Sequence, residues 1–350
     1  MATTERPELV SSGAGLASTV AAETHGELGV GTVRARGYWE GVWLRFRRDK
    51  FAIGGGLFIL FTIFAGFVGA PIAKALLGHG PNDITQNGVN INTLLPVGPG
   101  TSFTDVTAQG TKHFYFLLGA DSQLGRDEFL RLLYGTQVSL EVAVGATLVA
   151  MFIGVMLGAI AGFYGGWTDT VISRITEIVM AFPILLFVIA LASTAGPRLN
   201  NITLGFLGKG VLTLVLVLGL FGWFYPARIV RAQVLSLREK EFIEAARMIG
   251  TNDFRIIRSH ILPHLVAPII VYSTLVVAQN ILAEAGLSYL GLGIQDPTPS
   301  WGKLLAVSPD YYLTQPWLMV WPGLAILFAT LAFNLLGDGL RDAFDPRSTH

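Results

Sequence analysis

The 350-residue chain has no cysteine, which excludes a disulfide framework, cysteine-ligated zinc and thiol chemistry. Charge is also scarce. Asp, Glu, Lys and Arg make up 14% of the residues, against about 25% in soluble domains. The 24 basic residues equal the 24 acidic ones, so there is no surplus of the kind a general nucleic-acid binder needs. A phosphate-cradling loop would need GxxxxGK followed by Ser or Thr. The pairs Gly208-Lys209 and Gly302-Lys303 are followed by Gly and Leu, so no such loop exists. The six histidines include no HExxH pair, and Pro263 stands between His260 and His264. No metal site and no bound cofactor are therefore expected. Residues 1–36 lack the apolar run of a cleavable leader and are read as a disordered cytoplasmic tail.

What the chain has in abundance is apolar sequence: 52% of residues are hydrophobic, with 22 Phe, 7 Trp and 9 Tyr, and the mean hydropathy is +0.56. Six stretches are free of Asp, Glu, Lys and Arg: 51–73, 142–168, 178–197, 210–227, 265–283 and 311–337. Each is near the roughly 20 residues a spanning helix needs. Lipid leaves backbone groups no external partner, so such spans must be helices unless strands close into a barrel. Barrel strands would alternate apolar and polar residues, and no such alternation occurs. The expected architecture is an all-α polytopic membrane protein with six helices at 51–73, 142–168, 178–197, 210–227, 265–287 and 314–337. With both termini inside, 17 of the 24 Lys and Arg fall on the cytoplasmic side, which sets the orientation.

Three connections carry more than a turn. Residues 37–50 interleave Tyr38, Trp39, Trp43 and Phe46 with Arg45, Arg47 and Arg48. That pattern suits either a helix lying in the headgroup layer or a simple anchor of the first span. The extended outer segment 74–137 begins with turn-rich sequence and regains helical spacing at Phe129, Leu130, Leu132 and Leu133. It reads as a packed outer cap, a docking surface, or both. The inner connection 228–264 contains a coupling loop, 236–264. A helix over 241–249 is expected to end at a left-handed Gly250. Thr251 or Asn252 would cap a second helix, and Pro263 would mark entry into the fifth span. Ala245 and Ala246 would let another protein's surface approach, flanked by charge from Glu244.

Inside the spans, Gly154, Gly158, Gly162 and Gly166 form a GxxxG row that predicts close helix packing. Five ionisable residues lie near the bilayer: Glu141, Arg174, Glu177, Glu284 and Asp338. Asn280 and Glu284 share a helix face at four-residue spacing. They are candidates for a water-filled translocation path or for structural packing.

The loop Glu244-Ala245-Ala246-x3-Gly250 followed by Ile261-Leu262-Pro263 resembles the cytoplasmic loop of ABC importer transmembrane subunits, with Ile261 one place later than the family's isoleucine. Three further segments are similar to the dipeptide/oligopeptide/nickel-type permeases, and in particular to the second permease of the pair. They are Leu118-Gly119-Ala120-Asp121 with Gly125-Arg126-Asp127, Glu284-Ala285-Gly286-Leu287-Ser288 with Pro299-Ser300-Trp301-Gly302, and Asn334-Leu335-Leu336-Gly337-Asp338. The resemblance spans roughly residues 40–347. It implies a type I permease fold and no catalysis by this chain, ATP and Mg being bound by partner subunits. It also implies four partners or kinds of partner: a homologous second permease, two ABC ATPase subunits at the cytoplasmic face, and an extracytoplasmic solute-binding protein. Dipeptides or oligopeptides are the implied cargo, with nickel chelates or glutathione as alternatives. An autonomous secondary transporter, the different-class alternative, would need broken inverted spans or buried proton-relay acids.

Overall fold

The computed structural model describes residues 38–107, 110–181, 183, 186–191, 193–194 and 210–345. The expected tail 1–36, the end 348–350 and part of the expected third span lie outside the described residues. The chain divides into two units, residues 1–43 and 44–350. Of the first, only residues 38–43 are described, opening helix α1 (Tyr38–Phe46) with exposed Tyr38, Trp39 and Trp43.

Among the described residues, five helices are long and apolar enough to cross a membrane. The first, α2 (Lys50–Leu77), begins where the Asp49 carboxylate accepts from Phe51 N at 2.9 Å and Ala52 N at 3.1 Å. It ends at left-handed Gly78. An antiparallel hairpin follows, β1 (Thr101–Thr107) with β2 (Gly110–Phe116), pairing Phe103 with Phe114. Phe103, Phe114 and Phe116 close a small aromatic core on it. Among the described residues this hairpin is the one sheet beside the helices.

Helix α3 (Glu128–Tyr164) starts well ahead of residue 142, where the charge-free stretch begins. Asp127 caps it, accepting from Phe129 N at 2.8 Å and Leu130 N at 3.2 Å. Its charged first turn is buried in an ion network, so charge does not mark where the helix starts. The outer segment is correspondingly shorter than 74–137. At the inner end α3 stops before residue 168, because Gly165 and Gly166 both take positive φ, +65° and +54°. Helix α4 (Gly166–Ala181) turns back from there. Of the expected span 178–197, residues 178–181 end α4 and 186–191 are helical.

The span expected at 210–227 is α5 (Val211–Gly222) continuing through Trp223 into α6 (Phe224–Leu237), which runs past residue 227. Helix α7 (Glu241–Met248) forms the short arm of the inner hairpin. The other arm does not end at Pro263. It is the start of α8 (Asp253–Tyr289), an unbroken 37-residue helix. A π turn over Ile257–Ile261 widens the helix just before the proline, and Leu262 N bonds Ile257 O there. The missing N–H of Pro263 therefore falls where the ladder is already reset. After α9 (Trp301–Val307), α10 (Trp317–Phe344) completes the bundle.

Helix α3 is the central element. Its glycine row packs on α6, where a methyl group on Gly154, Gly158 or Gly162 would lie 2.5 Å from Pro226 Cβ, 2.5 Å from Ala227 O and 2.8 Å from Val234 Cβ respectively. Gly166, the fourth glycine of the expected row, belongs to the turn, and a methyl there would meet no heavy atom within 4 Å. On another face Leu140 and Ala143 join Val277, Ile281 and Ala285 of α8 and Ala329 and Phe333 of α10 in the main core.

Candidate functional site

The inner hairpin is built by its turn. Gly250 has φ of +78°, Gly250 N bonds Arg247 O at 2.9 Å and Thr251 N bonds Ala246 O at 3.1 Å. Those two bonds satisfy the last carbonyls of α7 in the Schellman arrangement. Asn252 then caps α8, its side chain accepting from Phe254 N at 3.0 Å.

One face of the hairpin is sewn to the bundle. Ile243 and Ala246 bury against Phe163 of α3, Val230 and Val234 of α6, and Ile256 and Ile261 of α8. Arg247 lies over the Phe163 ring at 5.2 Å, and Phe242 stacks on His264. The paired alanines therefore part company. Ala246 is 5% exposed and packs within this chain, while Ala245 points outward with Glu241 and Glu244. Two adjacent helical residues lie about 100° apart, so one can pack inward while the other faces outward. Of the remaining residues in the motif, Ile261 is fully buried, Leu262 half-buried and Pro263 exposed. The tip carries a signal that composition hides: Met248 and Ile249 are each 82% exposed and Phe254 is 68% exposed. Three large apolar side chains are thus exposed at or beside the turn.

Asn280 and Glu284 do share a face of α8, and both point into α3. Asn280 Nδ2 donates to Thr147 Oγ1 at 3.0 Å. The fully buried Glu284 carboxylate accepts from Ser139 Oγ at 2.9 Å and Ser288 Oγ at 2.7 Å. Trp301 N donates in turn to Ser139 Oγ at 3.2 Å, and Trp301 Nε1 to Thr136 Oγ1 at 3.2 Å. Gly302 sits so close to α8 that a methyl there would lie 2.6 Å from Ala285 Cα. Glu284 thus organises the junction of α3, α8 and α9 within this chain. Of the other candidates, Glu141 lies within α3, Arg174 and Glu177 within α4, and Asp338 in the last two turns of α10. Glu141 accepts from Gln137 at 2.8 Å, Arg174 pairs with Glu177 at 2.7 Å, and Asp338 is exposed.

The end of α3 away from the α7–α8 hairpin holds a second buried constellation. Asp121 is clamped by Arg126 and Arg131, each at 2.8 Å, and Arg131 also donates to Asn82 at 2.8 Å. Asp296 reaches Lys303 at 3.1 Å and Arg126 at 3.2 Å. Burial alone would raise the Asp296 carboxyl, but Lys303 and Arg126 hold it below the ordinary carboxylate range. His79 Nε2 meets Asp127 at 2.8 Å beneath the hairpin's phenylalanines. These contacts bind the outer segment to the α8–α9 connection. The run Asp121, Arg126, Asp127 and Arg131 is visible in the sequence as charge close to apolar residues, while its partner Asp296 lies too far along the chain to be paired by spacing.

Comparison with known proteins agrees with this architecture. A family model described as the binding-protein-dependent transport system inner membrane component matches residues 154–350, and one for the N-terminal transmembrane domain of oligopeptide transport permease C matches residues 37–96. The dipeptide transport system permease protein of Alkalihalophilus pseudofirmus is 45% identical over 314 residues, covering 88% of this chain and 90% of its own. The glutathione transport system permease protein of Pectobacterium atrosepticum is 38% identical over 309 residues, with 88% and 91% covered. Among solved structures, an inward-facing methionine ABC transporter aligns at 17% identity with a TM-score of 0.49, over 61% of this chain and 96% of that one. The chain belongs to the binding-protein-dependent transport system inner membrane components, and is a multi-helix permease subunit of that family.

Proposed function

We propose that this permease imports peptides, forming the pathway with a homologous second permease. Two ABC ATPase subunits that bind ATP and Mg would act at its cytoplasmic face, and a solute-binding protein would deliver cargo outside. The cargo assignment rests on the printed names of the relatives, which are dipeptide, peptide and glutathione permeases. The observation that carries the coupling role is the hairpin tip: Met248, Ile249 and Phe254 exposed beside Glu244, on a loop whose other face is anchored to α3 and α6.

The geometry suits a lever. Helix α8 is continuous from Asp253 to Tyr289, about 55 Å at 1.5 Å per residue. A displacement of the tip by closing ATPases would be passed along it, through the π turn at Ile257–Ile261 and past the internal Pro268. Its outer part is tied through Glu284 to Ser139 of α3, and through Ser288 Oγ, which accepts from Ile294 N, to the outer connection. Inner closure would thereby be felt at the outer mouth, as alternating access requires. This chain performs no covalent step in that cycle.

The test is Glu244→Lys in the reconstituted importer. Glu244 is exposed on α7, so the variant inverts charge at the contact face without touching the core. ATPase stimulation by loaded binding protein is expected to fall by roughly 5–150-fold, the usual span of coupling energies. Wild-type stimulation with normal transport would remove the hairpin from the coupling role.

A further inference from the structure

A polar cavity of about 210 Å³ opens between α3, α4 and α6, about one to two helical turns from the α3–α4 turn at Ala161 and Ser173. It is separate from the hairpin tip and from the Glu284 junction. Gly158 and Ala161 leave one wall without bulk, and Ser173, Arg228 and Arg231 bring polar atoms to the other. Arg231 is fixed in place by a bidentate pair with Asp169: its Nε donates to one carboxylate oxygen and its Nη2 to the other at 2.6 Å. Arg228 is in no ion pair among the described residues. Glu177 also borders the cavity but is paired with Arg174. The local balance of Arg174, Arg228 and Arg231 against Asp169 and Glu177 therefore leaves one net positive charge.

The depth of the cavity is marked by the adjacent turn. Tyr164 is 53% exposed and Trp167 81% exposed, on either side of Gly165 and Gly166. Exposed Tyr and Trp at a helix end sit at the headgroup level of a bilayer. A basic pocket between spans at that level, on the side richer in Lys and Arg, suits an anionic headgroup. We propose that this cavity binds the phosphate of an anionic phospholipid of the inner leaflet, with Arg228 as the free cation, Arg231 as the positioned one and the Ser173 hydroxyl as a further donor. This rests on the cytoplasmic placement of the α3–α4 turn.

The experiment uses the complete detergent-solubilised complex stripped of lipid and titrated with dioctanoyl-phosphatidylglycerol, bound copies being counted by native mass spectrometry. Arg228→Gln is expected to weaken binding about fivefold, the scale set by one basic residue at an anionic lipid surface. Ser173→Phe fills the cavity without changing charge and is expected to weaken it at least as much. Arg48→Gln removes an exposed inner-face charge elsewhere and is expected to leave binding unchanged. Equal binding by wild type and Arg228→Gln overturns the proposal, as does an equal loss in Arg48→Gln. Inorganic phosphate displacing the lipid at matched phosphate concentration overturns it too, since the site would then hold any small anion. If Arg228→Gln fails to assemble, Ser173→Phe decides alone: retained lipid refutes the site and lost lipid supports it.

Discussion

Gly250 is the residue on which the coupling hairpin can be tested most sharply, because its environment separates two causes of damage. Its φ of +78° lies in the left-handed region, and a Cβ built there would meet no heavy atom within 4 Å. The penalty for a side chain is therefore one of backbone conformation with no steric part. For an L-residue that penalty is about 1–2 kcal/mol. Asn, which tolerates this region, should be penalised least, Ala by about 1 kcal/mol, and β-branched Val most. One to two kcal/mol changes a two-state population by about 5–30-fold. What is lost is the turn itself: the Gly250 N to Arg247 O and Thr251 N to Ala246 O bonds that set the angle of α7 to α8. The core shared by α3, α8 and α10 does not include this turn, so membrane insertion and expression should match wild type. Measured as binding-protein-stimulated ATP hydrolysis of the reconstituted complex, the order should be Gly, Asn, Ala, Val, with Val reduced about 5–30-fold. Full activity in Gly250→Val would refute the reasoning. Asn as damaging as Val would also refute it, because the loss would then follow side-chain size at a partner contact rather than φ.

Other outcomes follow from the packing. Gly158→Val places a branch where a methyl already meets Ala227 O at 2.5 Å and Val230 Cβ at 2.9 Å, and should cost about 1–3 kcal/mol, read as a lower thermal midpoint. Glu284→Ala strips the acceptor from the Ser139 and Ser288 hydroxyls. It should destabilise the subunit by about 1–3 kcal/mol with little change in substrate preference, and a preference change without a stability loss would instead make Glu284 part of the path. The Asp296 contacts with Lys303 and Arg126 should be insensitive to pH from neutral to mildly acidic. Asp296 has a folded-state value below its unfolded one, so its contribution is full above the unfolded value of about 3.9 and vanishes as pH falls through the folded one. Protease resistance of the outer segment should fall only in strong acid, with that loss reduced in Asp296→Asn. A cysteine at Asn87 should label from outside intact cells and one at Ser236 should not; external labelling at Ser236 would reverse the orientation and remove the coupling role.

Much of this protein was legible in the residues alone because its solvent is a bilayer. Lipid demands runs of apolar residues with internally satisfied backbone, so composition and charge-free length are enough to reveal a polytopic helical protein. The hairpin turn was equally readable, since a left-handed C′ glycine followed by an Asn cap is a local device whose causes lie within a few residues. Spacing failed where charge is buried by distant partners. The start of α3 was misplaced because Glu128 and Arg131 look exposed in sequence, whereas Asp121 and Arg126 lie beside them in the folded chain. Pro263 read as a boundary because the π turn that accommodates it has no local signature. The direction of Ala246, inward onto Phe163 and Val230, could not be read from a pair of identical residues. Nor could the role of Glu284, whose Ser139 partner is 145 positions away. Those features depend on which helix packs against which. Only the tertiary fold decides that, because a buried charge is tolerable solely where another part of the chain supplies its hydrogen bonds.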